Sequence, residues 1–262
     1  MASDELRVAI DAARRAGDLL RNALGGPRSI AFKGGPTDLV TEMDGRAEGL
    51  IVDALRHAFP DDAILAEERG SEPGRSRRRW IIDPLDGTTN YAHGMPVFGV
   101  SIALEMDGRV AVGVVFDPCR DELFTAERGR GAFVNERRLA VSATPTLNLS
   151  LLATGFPYNV RETAENNLLQ YATFAVRSQG VRRMGSAVTD LAYVAAGRYD
   201  GFWELRLGPW DAAAGCLMVE EAGGRVTNLT GGALDIDAPA LVASNGRIHD
   251  EMLRTLREST PA

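Results

Sequence analysis

The segment richest in chemistry is Asp83-Pro84-Leu85-Asp86-Gly87-Thr88-Thr89-Asn90, directly after the apolar run Trp80-Ile81-Ile82. Pro84 fixes its own φ and pushes Asp83 toward extended backbone, so an apolar strand is expected to end at Asp83 and turn. Asp86 to Thr89 then reads as a helix or turn entry, with a carboxylate and hydroxyls beside free backbone N–H groups. Such an entry favours an anion, and phosphate is the natural candidate. Asp83 and Asp86, three apart with the Leu85 carbonyl between them, form an oxygen-only donor set suited to Mg²⁺. For a lone DxxD the plainer reading is an Asx-type turn in which both carboxylates accept from backbone amides.

Three more acidic positions stand near element boundaries: Asp44 after Thr41, the pair Glu67-Glu68 after Ile64-Leu65-Ala66, and Asp211 after Trp210. Asp44 and Asp211 also read as helix caps, and Glu67 as a surface residue, so spacing alone does not bring the four segments together. Glu204 reads equally as an exposed strand end and Lys33 as a solvated lysine. The arginines of Arg75-Ser-Arg-Arg-Arg79 read as a solvated loop.

To place these residues the chain offers an amphipathic helix from about Asp4 to Leu24, with Leu6, Ile10, Ala13, Gly17, Leu20 and Leu24 on one face. A glycine-rich loop around Lys33-Gly34-Gly35-Pro36 leads to a second helix from about Thr41 to Ala58, closed by Pro60. Strand-like runs follow at Trp80–Ile82, Val97–Glu105, Val110–Asp117 and Leu123–Ala126, with a hairpin turn at Asp107-Gly108. Beyond Leu149 strands and helices alternate. Strands are expected near Leu151–Thr154, Tyr199–Glu204, Arg225–Asn228 and Leu241–Ala243, and helices over Glu162–Arg177, Ser186–Ala196 and Asp211–Ala222, the last with Asp211 at its N-cap.

The 262 residues carry a net charge of −7, which gives no electrostatic reason to expect direct nucleic-acid binding. Acidic ligands are disfavoured unless a cation stands between them and the 36 Asp and Glu residues. Two cysteines without CxxC spacing and three scattered histidines argue against a disulfide framework and a zinc site. The apolar runs fall short of the roughly 20 residues of a membrane span, and the start has no basic region before an apolar stretch, so a cytoplasmic protein is expected.

Taken together, these segments resemble the inositol monophosphatase family of Mg²⁺-dependent, lithium-sensitive phosphatases, most closely its bacterial inositol-1-monophosphatase branch. The resemblance runs from Asp38-Leu-Val-Thr-Glu-Met-Asp44 through Glu67-Glu68 and Asp83–Asn90 to Trp210-Asp211-Ala-Ala-Ala-Gly215 and Glu221-Ala-Gly-Gly224. Thr154-Gly-Phe-Pro-Tyr158 and Arg182-Arg-Met-Gly-Ser-Ala187 match the bacterial branch. The resemblance implies an α/β (α+β) fold, a layered αβαβα sandwich of the sugar-phosphatase superfamily type. The chain is then a single domain over 1–262, with an N-terminal α+β half (about 4–148) and a C-terminal α/β half (about 149–262), usually paired as a homodimer.

By the same resemblance two or three Mg²⁺ ions are expected. Glu67, Asp83 and the Leu85 carbonyl would hold the first, Asp83, Asp86 and Asp211 the second, and Glu67 would share a weaker third. Catalytic roles fall to Asp44, Glu67 and Thr88, which would manage the proton of a metal-activated water attacking the phosphate directly. Gly87 and Thr88 N–H groups would bind phosphate oxygens, with Asp86 and Asp211 bordering the substrate, and Gly185, Ser186, Ala187 and Glu204 would face the polyol. Inositol 1-phosphate is the implied substrate. The alternatives are a related phosphatase for nucleotide 3′-phosphates, fructose bisphosphate or histidinol phosphate, or, in another class, a regulatory binding protein in a transcription complex. Two departures stand out: Ala66 where a glycine is usual, and Gly208 where bacterial relatives often carry a basic residue, which would widen or neutralise the substrate rim. Arg182 and Arg183 are expected to be framework, interface or solvated arginines.

Overall fold

The computed structural model describes residues 2–26, 29–35 and 38–259; for 33–35 and 38 only the backbone is described, so the Lys33 side chain lies outside the described residues. Helix α1 (Asp4–Ala23) is capped by Ser3, whose hydroxyl accepts from the Leu6 N–H at 3.1 Å. It buries a face of small residues and leucines, and a Cβ on Gly17 would lie 2.5 Å from the Phe116 ring. Where a glycine-rich loop was expected, β1 (Ile30–Gly35) and β2 (Asp38–Thr41) form an antiparallel pair. That pair delivers Thr41 as the N-cap of α2 (Glu42–Ala58).

Next come β3 (Ala63–Ala66), β4 (Gly70–Glu72), β5 (Arg78–Asp86), the short α3 (Thr88–Ala92), β6 (Gly99–Met106), β7 (Arg109–Asp117), β8 (Glu122–Glu127), β9 (Gly131–Val134) and β10 (Arg137–Arg138). They order as β10-β9-β8-β7-β6-β5-β3-β4, antiparallel throughout except for β3 beside β5. Asp107 and Gly108 both take positive φ at the β6–β7 turn, as the Asp-Gly signal requires. Arg78 and Arg79 belong to β5 rather than to a solvated loop: Arg78 pairs with Asp62 at 3.0 Å and Arg79 with Glu105 at 2.6 Å.

The remaining elements are β11 (Leu151–Thr154), α4 (Leu168–Arg177), β12 (Gly180–Arg182), α5 (Ala187–Ala195), β13 (Gly201–Glu204), α6 (Pro209–Glu221), β14 (Arg225–Asn228), β15 (Leu241–Ser244) and α7 (His249–Glu258). Their sheet runs β12-β11-β13-β15-β14. Three cores join five layers, the middle one packing both faces of the α5/α6 layer. Leu20, Ile51 and Phe116 lie between α1/α2 and the first sheet. Val115, Leu191 and Leu217 lie around α5 and α6, between the two sheets, and Phe174, Trp203 and Met252 between the second sheet and α4/α7. The order is αβαβα, as expected.

The helix expected from Glu162 begins only at Leu168. Asn167 adopts φ 67°, which no helix interior tolerates, and its buried amide donates to Thr154 Oγ1 at 2.8 Å and the Gly155 carbonyl at 2.6 Å while accepting from Trp203 Nε1 at 2.8 Å. Residues 155–166 are thereby a loop tied at its base. The Glu221 carboxylate of the family-like Glu221-Ala-Gly-Gly224 segment accepts from the Gly129 and Gly131 N–H groups at 2.7 and 2.8 Å, joining α6 to the β8–β9 turn.

Candidate active site

Strand β5 does not stop at Asp83. It continues to Asp86 through a bulge: Asp83 faces Ser101 and Asp86 faces Gly99, so three steps on β5 span two on β6. Pro84 occupies the bulge, where a missing N–H costs no ladder bond. The Asx-type turn is present as well, since Asp83 Oδ1 accepts from the Leu85 N–H at 2.9 Å. Asp86 Oδ2 accepts from Ser186 Oγ at 2.5 Å and the Val188 N–H at 3.0 Å, at the start of α5. Asp211 is not the N-cap of α6. It sits three residues inside, after Gly208 at the cap, and its Oδ2 accepts from the Gly208 N–H at 2.6 Å.

These local bonds aim three carboxylates, two from strand β5 and one from helix α6, at one point: one oxygen each from Asp83, Asp86 and Asp211 lies within 4.8 Å of the others. They line a cavity of about 230 Å³ together with Glu67, the Leu85 segment and Thr88. The parallel β3–β5 pairing brings Glu67 there, its N–H donating to the Ile82 carbonyl at 3.2 Å. Behind it, the fully buried Glu48 of α2 accepts from the Glu68 N–H at 2.9 Å and pairs with Arg69 at 3.1 Å, fixing the Glu67-Glu68 turn. Sequence reading missed Glu48, although an acidic residue one position after Ala47 on the buried side of α2 was a usable signal. Ala66 is fully buried at the end of β3.

Burial, then the neighbouring carboxylates Glu67, Asp86 and Asp211, pushes Asp83 well above the usual carboxylate range. Asp211 rises for the same reasons, and burial raises Asp86 to about 6. Such a cluster resists full ionisation unless a cation joins it. Its all-oxygen donors, with a backbone carbonyl beside them, fit a hard divalent ion such as Mg²⁺.

Thr88 Oγ1 lies 3.1 Å from Asp44 Oδ1 and 3.0 Å from the Leu85 carbonyl, both acceptors for its single proton. Asp44 is held in place by the Thr41 N–H and hydroxyl, at 2.9 and 2.6 Å, in the capping arrangement of α2. Gly87, at φ 93°, caps α3 and admits no side chain: a Cβ would approach the carbonyls of Val97 and Gly185 to 3.0 and 3.1 Å. The Gly87 turn therefore abuts the Gly185-Ser186-Ala187 turn directly.

A second cavity of about 560 Å³ opens beside the first, sharing Asp86, Thr88, Tyr158 and Asp211 with it. Glu204 is buried in its wall, over Gly155, where a Cβ would meet the carboxylate at 2.3 Å. Asp190, one turn into α5, also reaches this wall, is almost completely buried and leaves Oδ1 without a hydrogen bond. The spacing of Asp190 from Ser186 matches the buried face of a helix and by itself gives no sign of a place in a cavity wall. Arg183 lines this cavity, while Arg182 is exposed on β12. At Gly208 a Cβ would fall 2.5 Å from the Trp210 ring, so the indole occupies the space a side chain would need. The rim is nevertheless not neutral, because Arg206 lines it two residues earlier.

A family model described as the inositol monophosphatase family matches residues 1–261. The chain is 44% identical to an inositol-1-monophosphatase of Mesorhizobium japonicum over 98% of its length and 97% of that protein's. It is 45% identical to the Nus factor SuhB of Pseudomonas aeruginosa, with the same shares covered. The solved inositol monophosphatase of Anabaena (Nostoc) sp. superposes with a TM-score of 0.90 at 44% identity, covering 98% of this chain and 96% of that one.

Proposed function

Because the chain belongs to the inositol monophosphatase family, we propose that it is a Mg²⁺-dependent phosphatase hydrolysing inositol 1-phosphate to inositol and inorganic phosphate. The observation that carries this reading is the meeting of Asp83, Asp86 and Asp211 beside Glu67, at the edge of a larger polar cavity. Glu67, Asp83, the Leu85 carbonyl, Asp86 and Asp211 would hold two or three Mg²⁺ ions. When bound, Mg²⁺ supplies the positive charge that offsets repulsion of a phosphate dianion and makes a water acidic enough to attack at neutral pH.

The chain's own groups do the rest. Thr88 Oγ1 donates to Asp44 Oδ1, so that with Glu67 nearby it would relay the proton of the attacking water, taking it on the oxygen while its own proton passes to the Asp44 carboxylate. Backbone N–H groups of Gly87 and Thr88 hold phosphate oxygens beside Asp86 and Asp211. Glu204 and the Gly185-Ser186-Ala187 turn accept and donate hydrogen bonds to the polyol hydroxyls. We read the working unit as a lithium-sensitive homodimer.

Changing Asp211→Asn is expected to abolish Mg²⁺-dependent phosphate release while the circular dichroism spectrum stays native; retained turnover overturns the assignment. A panel of inositol, sugar and nucleotide monophosphates, with and without lithium, separates inositol 1-phosphate from the related substrates. The similarity to proteins named Nus factor SuhB favours one further reading, a role in a transcription complex through a protein partner. Cellular function that survives Asp211→Asn would assign that role independently of catalysis.

A further inference from the structure

Among the described residues, four buried side-chain polar atoms make no hydrogen bond: Glu48 Oε1, Arg78 Nε, Arg78 Nη2 and Asp190 Oδ1. The first three still stand in ion pairs, Glu48 Oε1 with Arg69 at 3.1 Å, Arg78 Nε with Asp62 at 3.0 Å and Arg78 Nη2 with Glu5 at 3.2 Å. Of the four, only Asp190 Oδ1 has neither kind of partner. Elsewhere the fold bonds its buried carboxylates. Asp62 accepts from Ser76 and Trp80, Asp117 from the Cys119 and Arg120 N–H groups, and Asp200 from Ser142 and the Leu151 N–H. In such a framework an open buried oxygen calls for a partner from outside the chain.

The placement of Asp190 indicates where that partner sits. Asp86 holds the start of α5 through Ser186 Oγ and the Val188 N–H, and Asp190 follows one turn later, its N–H donating to the Ser186 carbonyl at 3.0 Å. Asp190 is only 1% exposed, yet it lines the 560 Å³ cavity with Ser186, Ala187 and Glu204. It also bears directly on Glu204: burial, then Asp211 and Asp190, lifts the Glu204 carboxyl well above the usual range. Arg183 does not serve as the missing partner, since its Nη1 packs instead over Gly185, 2.8 Å from where a Cβ would stand. A carboxylate in the first turn of α5 suits the helix dipole, but that interaction leaves Oδ1 as open as before. With the phosphate held at Gly87 and Thr88, the alcohol half of the substrate faces this wall, and a hydroxyl can donate to a carboxyl oxygen whether or not the carboxyl is ionised.

We propose that Asp190 is a specificity residue whose Oδ1 hydrogen-bonds a hydroxyl of the substrate's alcohol half, beside Glu204. This rests on the phosphatase reading above and adds a second carboxyl that reads the alcohol. A site built to bond a hydroxyl rejects an ester that lacks it, because the buried oxygen then stays open.

The test is steady-state phosphate release with Mg²⁺ from inositol 1-phosphate and from cyclohexyl phosphate, the same ring and ester without the other hydroxyls, on the wild type, Asp190→Ala and Asp190→Asn. The ratio of kcat/KM for inositol 1-phosphate over cyclohexyl phosphate is expected to fall at least about tenfold in Asp190→Ala, mainly through KM for inositol 1-phosphate. Asp190→Asn keeps an acceptor oxygen and should recover part of the ratio. The melting temperature of Asp190→Ala in chelator should equal or exceed that of the wild type, because an unpartnered buried oxygen has been removed. An unchanged ratio, with both esters slowed alike or not at all, marks a structural or merely hydrated carboxyl and overturns the specificity role. A wild type that hydrolyses cyclohexyl phosphate as readily as inositol 1-phosphate also overturns it while keeping the phosphatase reading. Absence of turnover on both esters overturns the phosphatase reading and this inference with it.

Discussion

Asp83 shows how one residue serves structure and chemistry at once. One of its oxygens closes the Asx-type bond to Leu85, and its carboxylate stands in a buried cluster that raises its proton affinity. In metal-free protein the cluster is a source of instability, because burial and like charge both oppose ionisation. Asp83→Asn is therefore expected to raise the melting temperature by a few degrees in chelator while abolishing the further rise that Mg²⁺ gives the wild type. Differential scanning fluorimetry with and without Mg²⁺ reads both effects, and an unchanged Mg²⁺ response would remove Asp83 from the metal site. Gly155 matters for the absence of a side chain. Gly155→Ala must displace the Glu204 carboxylate, so KM for the polyol phosphate should rise about tenfold with a smaller change in kcat.

Among the elements, α7 was not anticipated, although its apolar positions Met252, Leu253 and Leu256 have helical spacing and close the third core. His249 at its start bridges Thr227 of β14 and Ser244 of β15, at 2.9 Å from each ring nitrogen, and is fully buried. Burial lowers its pKa from 6.5 to about 4. The folded state thus binds fewer protons than the unfolded state below pH 6.5. This contribution is complete above that pH and is lost as the pH falls from 6.5 toward 4, by roughly 3 kcal/mol at most. Urea unfolding of the wild type and His249→Gln at pH 7 and pH 5 should show the gap between them narrowing at pH 5; a constant gap would rule out a buried neutral imidazole. The α4 boundary has its own cause in Asn167, whose left-handed backbone and three buried hydrogen bonds outweigh the helical spacing upstream.

At the scale of the whole molecule the site is a joint. Asp83 and Asp86 come from β5 of the first sheet and Glu67 from the turn after β3, while Asp211 comes from α6 and Glu204 from β13 of the second sheet. A cation held by both should stabilise the entire chain, by roughly 2.7 kcal/mol per ion at a hundredfold excess over its Kd. Calorimetry should show one transition moving up with Mg²⁺ and back with chelator; movement of only part of a split transition would contradict the joint. No helix among the described residues is long and apolar enough to cross a membrane. What the sequence determined by itself was local: the oxygen donors, the Asx-type bond at Asp83, the hairpin at Asp107-Gly108 and the period of the main helices and strands, whereas the strand did not end at Asp83 and Thr41, not Asp44, is the N-cap of α2. Each depends on residues a few positions apart. The net charge of −7 correctly marked a surplus of acidic ligands but not where they gather. Only the tertiary structure decided that Asp83 and Asp211, separated by more than a hundred residues, meet within 4.8 Å, that Glu48 supports the Glu67 turn, and that Asp190 and Glu204 line one cavity. Those distances are fixed by sheet register and by the packing of α6 between the layers, which no local spacing encodes.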